Sequence, residues 1–238
     1  LVTARIDGRD LVLTQQRIGY DEATTSDPAV WMVPVHLRVG TTATTVLLDQ
    51  PTLSVALDDP EAPVVANAGG HGFWRVAYSA DLLNRLRGPA LAALDPVERY
   101  NLVDDAWNAT VAGRLGTADM LGLLRGFGDE DDLSVWQAIM AAFNGLSRLV
   151  SGDELAALRA EVRSVVAPAL DRLGWVPVEG EGERQGKLRG LLVAALAVTG
   201  ADAAATARCA ELLAQHDASP GTVHPELVAA ATTAVAAS

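Results

Sequence analysis

The stretch Asn67-Ala68-Gly69-Gly70-His71-Gly72-Phe73-Trp74-Arg75-Val76-Ala77-Tyr78-Ser79 separates two hydrophobic patterns in this 238-residue chain. Before it, apolar residues recur at every second position, and after it they recur at every third or fourth. A period of two is typical of strands, and a period near 3.6 is typical of helices. We therefore predict a β domain over residues 1–79 and an α-helical domain over residues 80–238, joined by a glycine-rich turn and one last strand.

Residues 30–39 carry the clearest strand pattern of the first domain. Met32, Pro34, His36 and Arg38 alternate with five apolar residues that are predicted to face the core. Those five are Trp31, Val33, Val35, Leu37 and Val39. Pro34 has no amide hydrogen, so it predicts an edge strand or a bulge. About seven short strands separated by turn residues predict a small antiparallel β-sandwich.

Capping residues mark the helix starts of the second domain. Asp95-Pro96-Val97-Glu98 combines a capping acid, a first-turn proline and a capping-box glutamate, and Ser151-Gly152-Asp153-Glu154 is interpreted as a second capping box. Pro168 predicts a kink within the helix that follows. The last three helices are predicted over residues 187–199, 202–215 and 225–236. Consecutive helices joined by short turns predict an α-α superhelix of the HEAT/ARM type.

Aromatic residues are interpreted as part of the core. An apolar stripe at helical spacing follows Pro96 and consists of Tyr100, Val103, Trp107, Val111 and Leu115. The five tryptophans are spread one to an element, which favours core packing over a stacking platform.

Charge and cysteine content exclude several classes of partner. Thirty Asp and Glu against eighteen Lys and Arg give a net charge of -12, so there is no basic face for nucleic acid or anionic lipid, and we expect neither as a partner. The single cysteine, Cys209, needs no oxidising compartment, and we expect a cytoplasmic protein. The chain opens without Met, and its final helix has no obvious cap or partner, so we expect a piece of a longer protein.

We expect no catalytic, cofactor-binding or metal-binding residue in this chain. The four histidines, His36, His71, His216 and His224, form no His-Glu-x-x-His and no pair at helical spacing of three or four. Cys209 and His216 lie two helical turns apart, but no motif places a third group to orient them.

Three other patterns have ordinary structural interpretations. The carboxylate runs Asp104-Asp105 and Asp129-Glu130-Asp131-Asp132 are interpreted as helix caps and solvated faces rather than metal ligands. Residues 182–187 have the wrong spacing for a phosphate loop, and Leu188 stands where Ser or Thr would bind magnesium. The glycines of residues 69–72 precede a strand instead of following one, so they are not a dinucleotide fingerprint.

Several landmarks in order resemble the aminopeptidase N-like zinc metallopeptidases. Gly72-Phe73-Trp74-Arg75-Val76-Ala77-Tyr78 is similar to the strand that ends the β-sandwich of that family, and residues 98–106 are similar to its Glu-Arg-x-x-Leu-x-x-Asp helix. Leu13-Thr14-Gln15-Gln16-Arg17 with Trp31-Met32-Val33-Pro34-Val35 resembles the opening of its sandwich. Landmarks of its C-terminal helical domain follow at Glu130-Asp131-Asp132, Val135-Trp136, Leu173-Gly174-Trp175, Glu179, Glu183 and Leu188-Arg189.

The resemblance implies that this chain is the β-sandwich domain and the start of the helical domain of such an enzyme. The family's Gly-x-Met-Glu-Asn and His-Glu-x-x-His motifs, which hold the substrate amine and zinc, are not in this sequence. The implied partners are the catalytic domain of the parent chain, which carries the zinc, and its peptide substrate. The implied role of this region is to shape and close the substrate cavity, although no position here matches a substrate-contacting residue.

A non-enzymatic alternative stays open: a HEAT-like scaffold for protein interactions with a β-sandwich appendage. A His-Glu-x-x-His motif encoded upstream would decide for the peptidase. For the chain alone we predict no bound zinc and no hydrolysis of aminoacyl amides. We also predict self-association through an exposed last helix around Leu227, Val228 and Val235, since exposed apolar area marks contact sites.

Overall fold

The computed structural model describes residues 1–19, 24 and 26–238. Strands fill the first part of the chain, and in the described residues none follows Tyr78, which confirms the predicted order of β then α. The strands are β1 (Val2–Asp7), β2 (Asp10–Gln15), β3 (Val33–Val39), β4 (Thr42–Leu48), β5 (Thr52–Ala56), β6 (Val64–Val65) and β7 (Val76–Tyr78). The helices are α1 (Ala80–Arg85), α2 (Pro89–Ala92), α3 (Pro96–Val111), α4 (Thr117–Leu124), α5 (Leu133–Ser147), α6 (Gly152–Leu173), α7 (Glu183–Ala194), α8 (Ala203–Ala218) and α9 (Pro225–Ala236).

Packing divides the chain into two compact units, Leu1–Gly126 and Phe127–Ser238. The first unit holds the seven strands and helices α1 to α4, and the second holds α5 to α9. The change of secondary structure near Ser79 thus lies inside the first unit. The domain assignment to residues 1–79 and 80–238 and the superhelical arrangement stay predictions. None of the described helices is long and apolar enough to cross a membrane.

The strands form two sheets, with the orders β5-β2-β1-β7 and β4-β3-β6. Neighbouring strands are antiparallel except β7, which pairs parallel to β1 through Val2 and Val76. Here the structure departs from a purely antiparallel prediction, because β7 arrives from the turn at Gly69 and Gly70 rather than from a hairpin. One core contains side chains of both sheets: Val2, Leu11, Leu13, Val35, Leu37 and Leu48 are all buried.

β3 confirms the predicted alternation of buried and exposed side chains at Val35 and Leu37, but Trp31 does not follow it. Val35 and Leu37 are fully buried, whereas the side chain of Trp31 precedes the strand and is 42% exposed. Beyond Val39 the chain pairs with β6, where Gly40 N donates to Pro63 O at 2.8 Å. Backbone groups of alternate residues point to the same side of an antiparallel strand, so Pro34 faces this side at a point where β6 has ended. β3 is the central strand of its sheet, not the predicted edge strand, although the amide side of Pro34 lies beyond the end of β6.

The second unit is built on long amphipathic helices. α5 begins at Asp132, whose Oδ1 accepts hydrogen bonds from Ser134 N and Val135 N, and its Trp136 and Phe143 are fully buried. The predicted capping box at Ser151 is wrong: this residue is the N-cap of α6, but its side chain accepts no capping hydrogen bond. α6 runs through Pro168, and a π-helical turn, Ala195–Thr199, follows α7.

The last helix packs against α7 and α8, contrary to the prediction that it lies exposed. His224 Nδ1 accepts from Glu226 N at 3.3 Å and supplies the cap that the sequence did not suggest. Leu227 is buried and Val228 is partly buried, because the neighbouring helices cover that face, while Val235 remains exposed. The basis for self-association through Leu227 is therefore lost, and self-association itself stays untested.

Candidate functional site

The turn at residues 68–70 brings the strands against the start of α3. Gly69 and Gly70 have φ of +72° and +67°, and a Cβ on Gly70 would lie 2.4 Å from Val97 Cγ1. Only glycine combines this backbone conformation with so close an approach. The glycine-rich stretch is thus a turn that lets the main chain touch the helix.

Glu98 joins three elements at this place. Its carboxylate accepts hydrogen bonds from Asp95 N at 3.1 Å, Gly69 N at 2.9 Å and Arg38 Nη2 at 2.7 Å. Asp95 Oδ1 accepts from Glu98 N at 2.8 Å, which completes the predicted capping box. The side chain of Glu98 is buried, so these partners replace the water that a carboxylate otherwise needs.

Asp105 binds the last strand two turns further along α3. Its Oδ2 accepts from Val76 N at 3.0 Å, and its Oδ1 lies 3.5 Å from Arg75 Nη1, which also binds Asp104. The interpretation of Asp104-Asp105 as a solvated run is therefore wrong for Asp105, which is buried. Burial raises the pKa of Asp105 to about 7, against the smaller opposing effects of the Val76 amide and Arg75.

A cleft of about 770 Å³ lies beside these contacts in the first unit. Leu1, Val33, Pro34, Arg75, Asn101, Asp104 and Asp105 are among its lining residues. Four large apolar side chains in its lining are exposed: Ile18, Trp31, Met32 and Phe73, which we call the cleft face. Met32 is 75% exposed and Phe73 fully exposed.

Hydrogen bonds from two side chains fix the main chain at two places beside the cleft face. The buried side chain of Gln15 accepts from Trp31 N at 2.8 Å and donates to the Trp31, Leu48 and Gln50 carbonyls. Beside Phe73, Gly72 exchanges two hydrogen bonds with the side chain of Asn67. A buried amide side chain with its bonds satisfied holds a loop in one conformation.

The residues predicted to lie in the core differ in their burial. Trp136 is fully buried, whereas Tyr100 and Val111 of the predicted stripe are exposed, because α3 buries the face of Glu98, Leu102 and Asp105.

The hydroxyl of Tyr78 accepts a hydrogen bond from Ala66 N at 2.9 Å, and burial raises the pKa of this phenol.

The histidines do not form a metal centre. The rings of His36 and His71 meet edge to face with centroids 5.8 Å apart, and His36 Nδ1 lies 3.1 Å from Thr45 Oγ1. His224 caps α9. No group of three or more His, Cys, Asp or Glu suited to a metal ion exists among the described residues.

The surroundings of Cys209 oppose reactivity of its thiol. Cys209 is fully buried, and burial raises the pKa of its thiol, which opposes formation of the nucleophilic thiolate. The Nδ1 atom of His216 is buried and has no hydrogen-bond partner among residues 1–19, 24 and 26–238.

The carboxylate run at residues 129–132 caps α5 through Asp132, as predicted. Glu130 Oε1 accepts hydrogen bonds from Asp131 N and Asp132 N.

Sequence reasoning missed two buried groups that organise the fold, Gln15 and Arg189. Gln15 lies two and four positions after the buried Leu13 and Leu11 of β2, and this period of two in the sequence is a signal of its burial. Arg189 had no such signal, because its partner Glu181 lies in the loop before α7.

The comparisons with known proteins agree on one family. The sequence profile of the ERAP1-like C-terminal domain matches residues 63–238. Aminopeptidase M1-B of Oryza sativa subsp. japonica is 28% identical over 223 residues, covering 85% of this chain and 25% of that protein. Puromycin-sensitive aminopeptidase of Caenorhabditis elegans is 28% identical over 211 residues, covering 84% and 22%. Tricorn protease-interacting factor F2 of Thermoplasma acidophilum is 24% identical over 191 residues, covering 80% and 23%.

The chain spans about a quarter of the length of these curated relatives. The predicted resemblance to the C-terminal region of aminopeptidase N-like enzymes is confirmed. The matched family is a C-terminal domain, and the rice and nematode relatives, which match over most of this chain, are named aminopeptidases. The chain belongs to the family of ERAP1-like C-terminal domains.

Proposed function

We propose that this chain is the non-catalytic C-terminal region of a zinc aminopeptidase and that it shapes and closes the substrate cavity of that enzyme. The observation that carries the proposal is the match to aminopeptidases of rice and a nematode over 84–85% of the chain. The full polypeptide would remove N-terminal residues from peptides, with zinc bound outside this region. Zinc would polarise the scissile carbonyl and activate water.

The residues of this region support a structural role. The buried carboxylates of Glu98 and Asp105 accept hydrogen bonds that join α3 to the strands and the turn before β7. Neither carboxylate is therefore oriented towards a substrate as a general base. The thiol of Cys209 is buried, with its pKa raised. This chain would therefore contribute to catalysis through the shape of the substrate cavity, which would limit the substrates that reach the zinc.

The test compares three proteins: the full-length polypeptide, this 238-residue chain, and a truncated form of the full-length polypeptide that ends at Gly126. We expect zinc by elemental analysis and hydrolysis of aminoacyl chromogenic amides from the first, and neither from the second. We expect the third to lose discrimination between short peptides and large folded substrates. Stoichiometric zinc or hydrolysis in the 238-residue chain contradicts the non-catalytic role, and unchanged discrimination contradicts the cavity-closing role.

A full-length polypeptide without aminopeptidase activity would instead favour the HEAT-like scaffold. In that case the helices would act as a binding surface for another protein.

A further inference from the structure

We propose that the junction between α3 and the strands binds one internal water molecule, which accepts a hydrogen bond from the Tyr78 hydroxyl and donates to the carboxylates of Glu98 and Asp105. The site is a small cavity inside the first unit. Such a water would be present whether or not the full polypeptide is a peptidase, because it belongs to the internal packing of this region.

One face of α3 forms a wall of the cavity. Glu98, Asn101, Leu102 and Asp105 line it, and their spacing of three, four and seven positions places them on one side of the helix. Side chains of β6 and β7, among them Tyr78, line it as well. The cavity therefore lies where helix and strands meet, against the two carboxylates that already join them.

The size of the cavity suits one water molecule. Its volume is about 10 Å³, and a space of about 10–15 Å³ is what a single water needs. A cavity of this size with apolar walls would stay dry, so the chemistry of the lining decides whether water binds.

The Tyr78 hydroxyl supplies a donor to this cavity. Its oxygen accepts a hydrogen bond from Ala66 N at 2.9 Å, whereas its hydrogen has no acceptor among residues 1–19, 24 and 26–238. A hydroxyl inside a protein that donates to nothing is costly, and ordered water is a usual partner for such a group. A water in the cavity can accept this hydrogen bond.

The two buried carboxylates supply acceptors. Glu98 Oε1 accepts from Gly69 N at 2.9 Å, and Asp105 Oδ1 has a long contact of 3.5 Å with Arg75 Nη1. Each oxygen has room for another hydrogen bond, because a carboxylate oxygen can accept about two. A water held by Tyr78, Glu98 and Asp105 would accept one hydrogen bond and donate two, which is about the usual number for an internal water.

A crystal structure of the 238-residue chain, at a resolution that shows ordered water, is the direct test. We expect one water in the cavity, about 2.5–3.2 Å from Tyr78 Oη and from an oxygen of Glu98 or Asp105. A cavity without water density overturns the proposal, and so does a Tyr78 hydroxyl that donates to a protein group.

Two adjacent residues of β6 provide a matched pair of variants. Val65 lines the cavity, whereas Val64 is buried in the core that the two sheets share and does not line it. Val65→Ile adds a methylene large enough to fill the cavity and should expel the water. Val64→Ile adds the same group outside the cavity and should leave the water in place.

Magnetic relaxation dispersion of water oxygen-17 counts long-lived internal waters in solution. The count should fall by about one in Val65→Ile relative to wild type and should be unchanged in Val64→Ile. Circular dichroism checks that each variant folds, and the wild-type crystal structure decides the question for a variant that does not. An unchanged count in folded Val65→Ile, or an equal loss in Val64→Ile, contradicts the proposal.

Thermal unfolding gives an independent sign. Expulsion of a hydrogen-bonded water leaves polar groups of the cavity without a partner, so Val65→Ile should lower the Tm by about 2–4 °C. In a dry cavity the added methylene would fill a void and improve packing. A rise in the Tm of Val65→Ile therefore overturns the proposal.

Discussion

The two units of this chain differ in their most deeply buried charged side chain. In Leu1–Gly126 the buried groups are the carboxylates of Glu98 and Asp105, and their arginine partners, Arg38 and Arg75, are partly exposed. In Phe127–Ser238 the most deeply buried charge is a cation, Arg189. Its guanidinium donates to both oxygens of Glu181, with Nη2 to Oε2 at 2.6 Å, and to the carbonyls of Leu173 and Gly174.

Asp105 and the Arg189–Glu181 pair therefore contribute to stability with opposite dependence on pH. Arginine keeps its charge, and its hydrogen bonds hold the pKa of Glu181 below the usual value, so stability from this pair is lost only as the pH falls into the acid range. The pKa of Asp105 is raised by burial, so its effect on stability has the opposite sign. The Arg189–Glu181 pair therefore keeps its contribution to stability at neutral pH, where the contribution of Asp105 has fallen.

The largest expected effect is in the second unit. Arg189→Met should lower the free energy of unfolding by about 3–5 kcal/mol, because it leaves the buried carboxylate of Glu181 without its cation. Urea unfolding measures the loss. Arg184→Met is the control: Arg184 is exposed and 3.2 Å from Asp132, and its loss should cost less than about 1 kcal/mol. Equal effects of the two substitutions would remove the contrast between a core cation and a surface cation.

The second expected effect is a pH dependence that comes from Asp105. Between the unfolded pKa of 3.8 and the folded pKa of about 7, the folded state binds a proton that the unfolded state has released. Stability from this group is therefore full below pH 4 and falls as the pH rises to 7, by a few kcal/mol at most. The Asp105→Asn variant has no such titration, so its free energy of unfolding should rise relative to wild type from pH 5 to pH 8.

Urea unfolding of both proteins at several pH values checks this prediction. Asp81→Asn, at an exposed residue, is the control and should show a difference from wild type that varies little with pH. A constant difference between Asp105→Asn and wild type would mean that Asp105 is ionised throughout, and the opposite pH dependence of Asp105 and the Arg189–Glu181 pair would no longer stand.

The third effect concerns the junction of α3 with the strands. Glu98→Gln removes the charge that accepts hydrogen bonds from Arg38 and Gly69, and it should cost about 2 kcal/mol, since hydrogen bonds to charged groups contribute about 1.5–3 kcal/mol. Glu61→Gln alters a largely exposed carboxylate and should cost much less. Thermal unfolding ranks the two; a similar decrease in Tm for both would show that Glu98 is not a central contact.

The smallest effect probes an exposed cation of the second unit. The guanidinium carbon of Arg208 lies 4.5 Å from the centroid of the Trp175 ring. Arg208→Gln should lower stability by about 0.5–1 kcal/mol, which is typical of a cation–π contact at an exposed site. Arg159→Gln, at an exposed residue of α6, is the control of equal charge. A larger loss at Arg208 than at Arg189 would reverse the ranking of buried and exposed cations.

Local chemistry explains what could be predicted from sequence. The change of period near Ser79, the capping box at Asp95 and Glu98, and the cap at Asp132 depend on residues a few positions apart, and the structure contains all three. The alternation of Val35 and Leu37 is likewise a local property of β3.

Features that depend on distant partners were not predictable in this way. Asp105 is buried because β7 brings Val76 N and Arg75 to it, across about thirty positions of sequence. Trp31 is exposed because Gln15 holds its backbone outside the strand, and Leu227 is buried because two earlier helices cover it. In each case the side chain type is compatible with both environments, and tertiary contacts decide between them.

Pro34 has a consequence for the aggregation of the purified chain. An open sheet edge with free amide hydrogens seeds the stacking of further chains into cross-β fibrils. At Pro34 the open side of β3 lacks that hydrogen, so a ladder started there is interrupted. Addition of a further chain along this side of β3 should therefore be disfavoured, whereas the outer strands β4, β5 and β7 keep their own open sides.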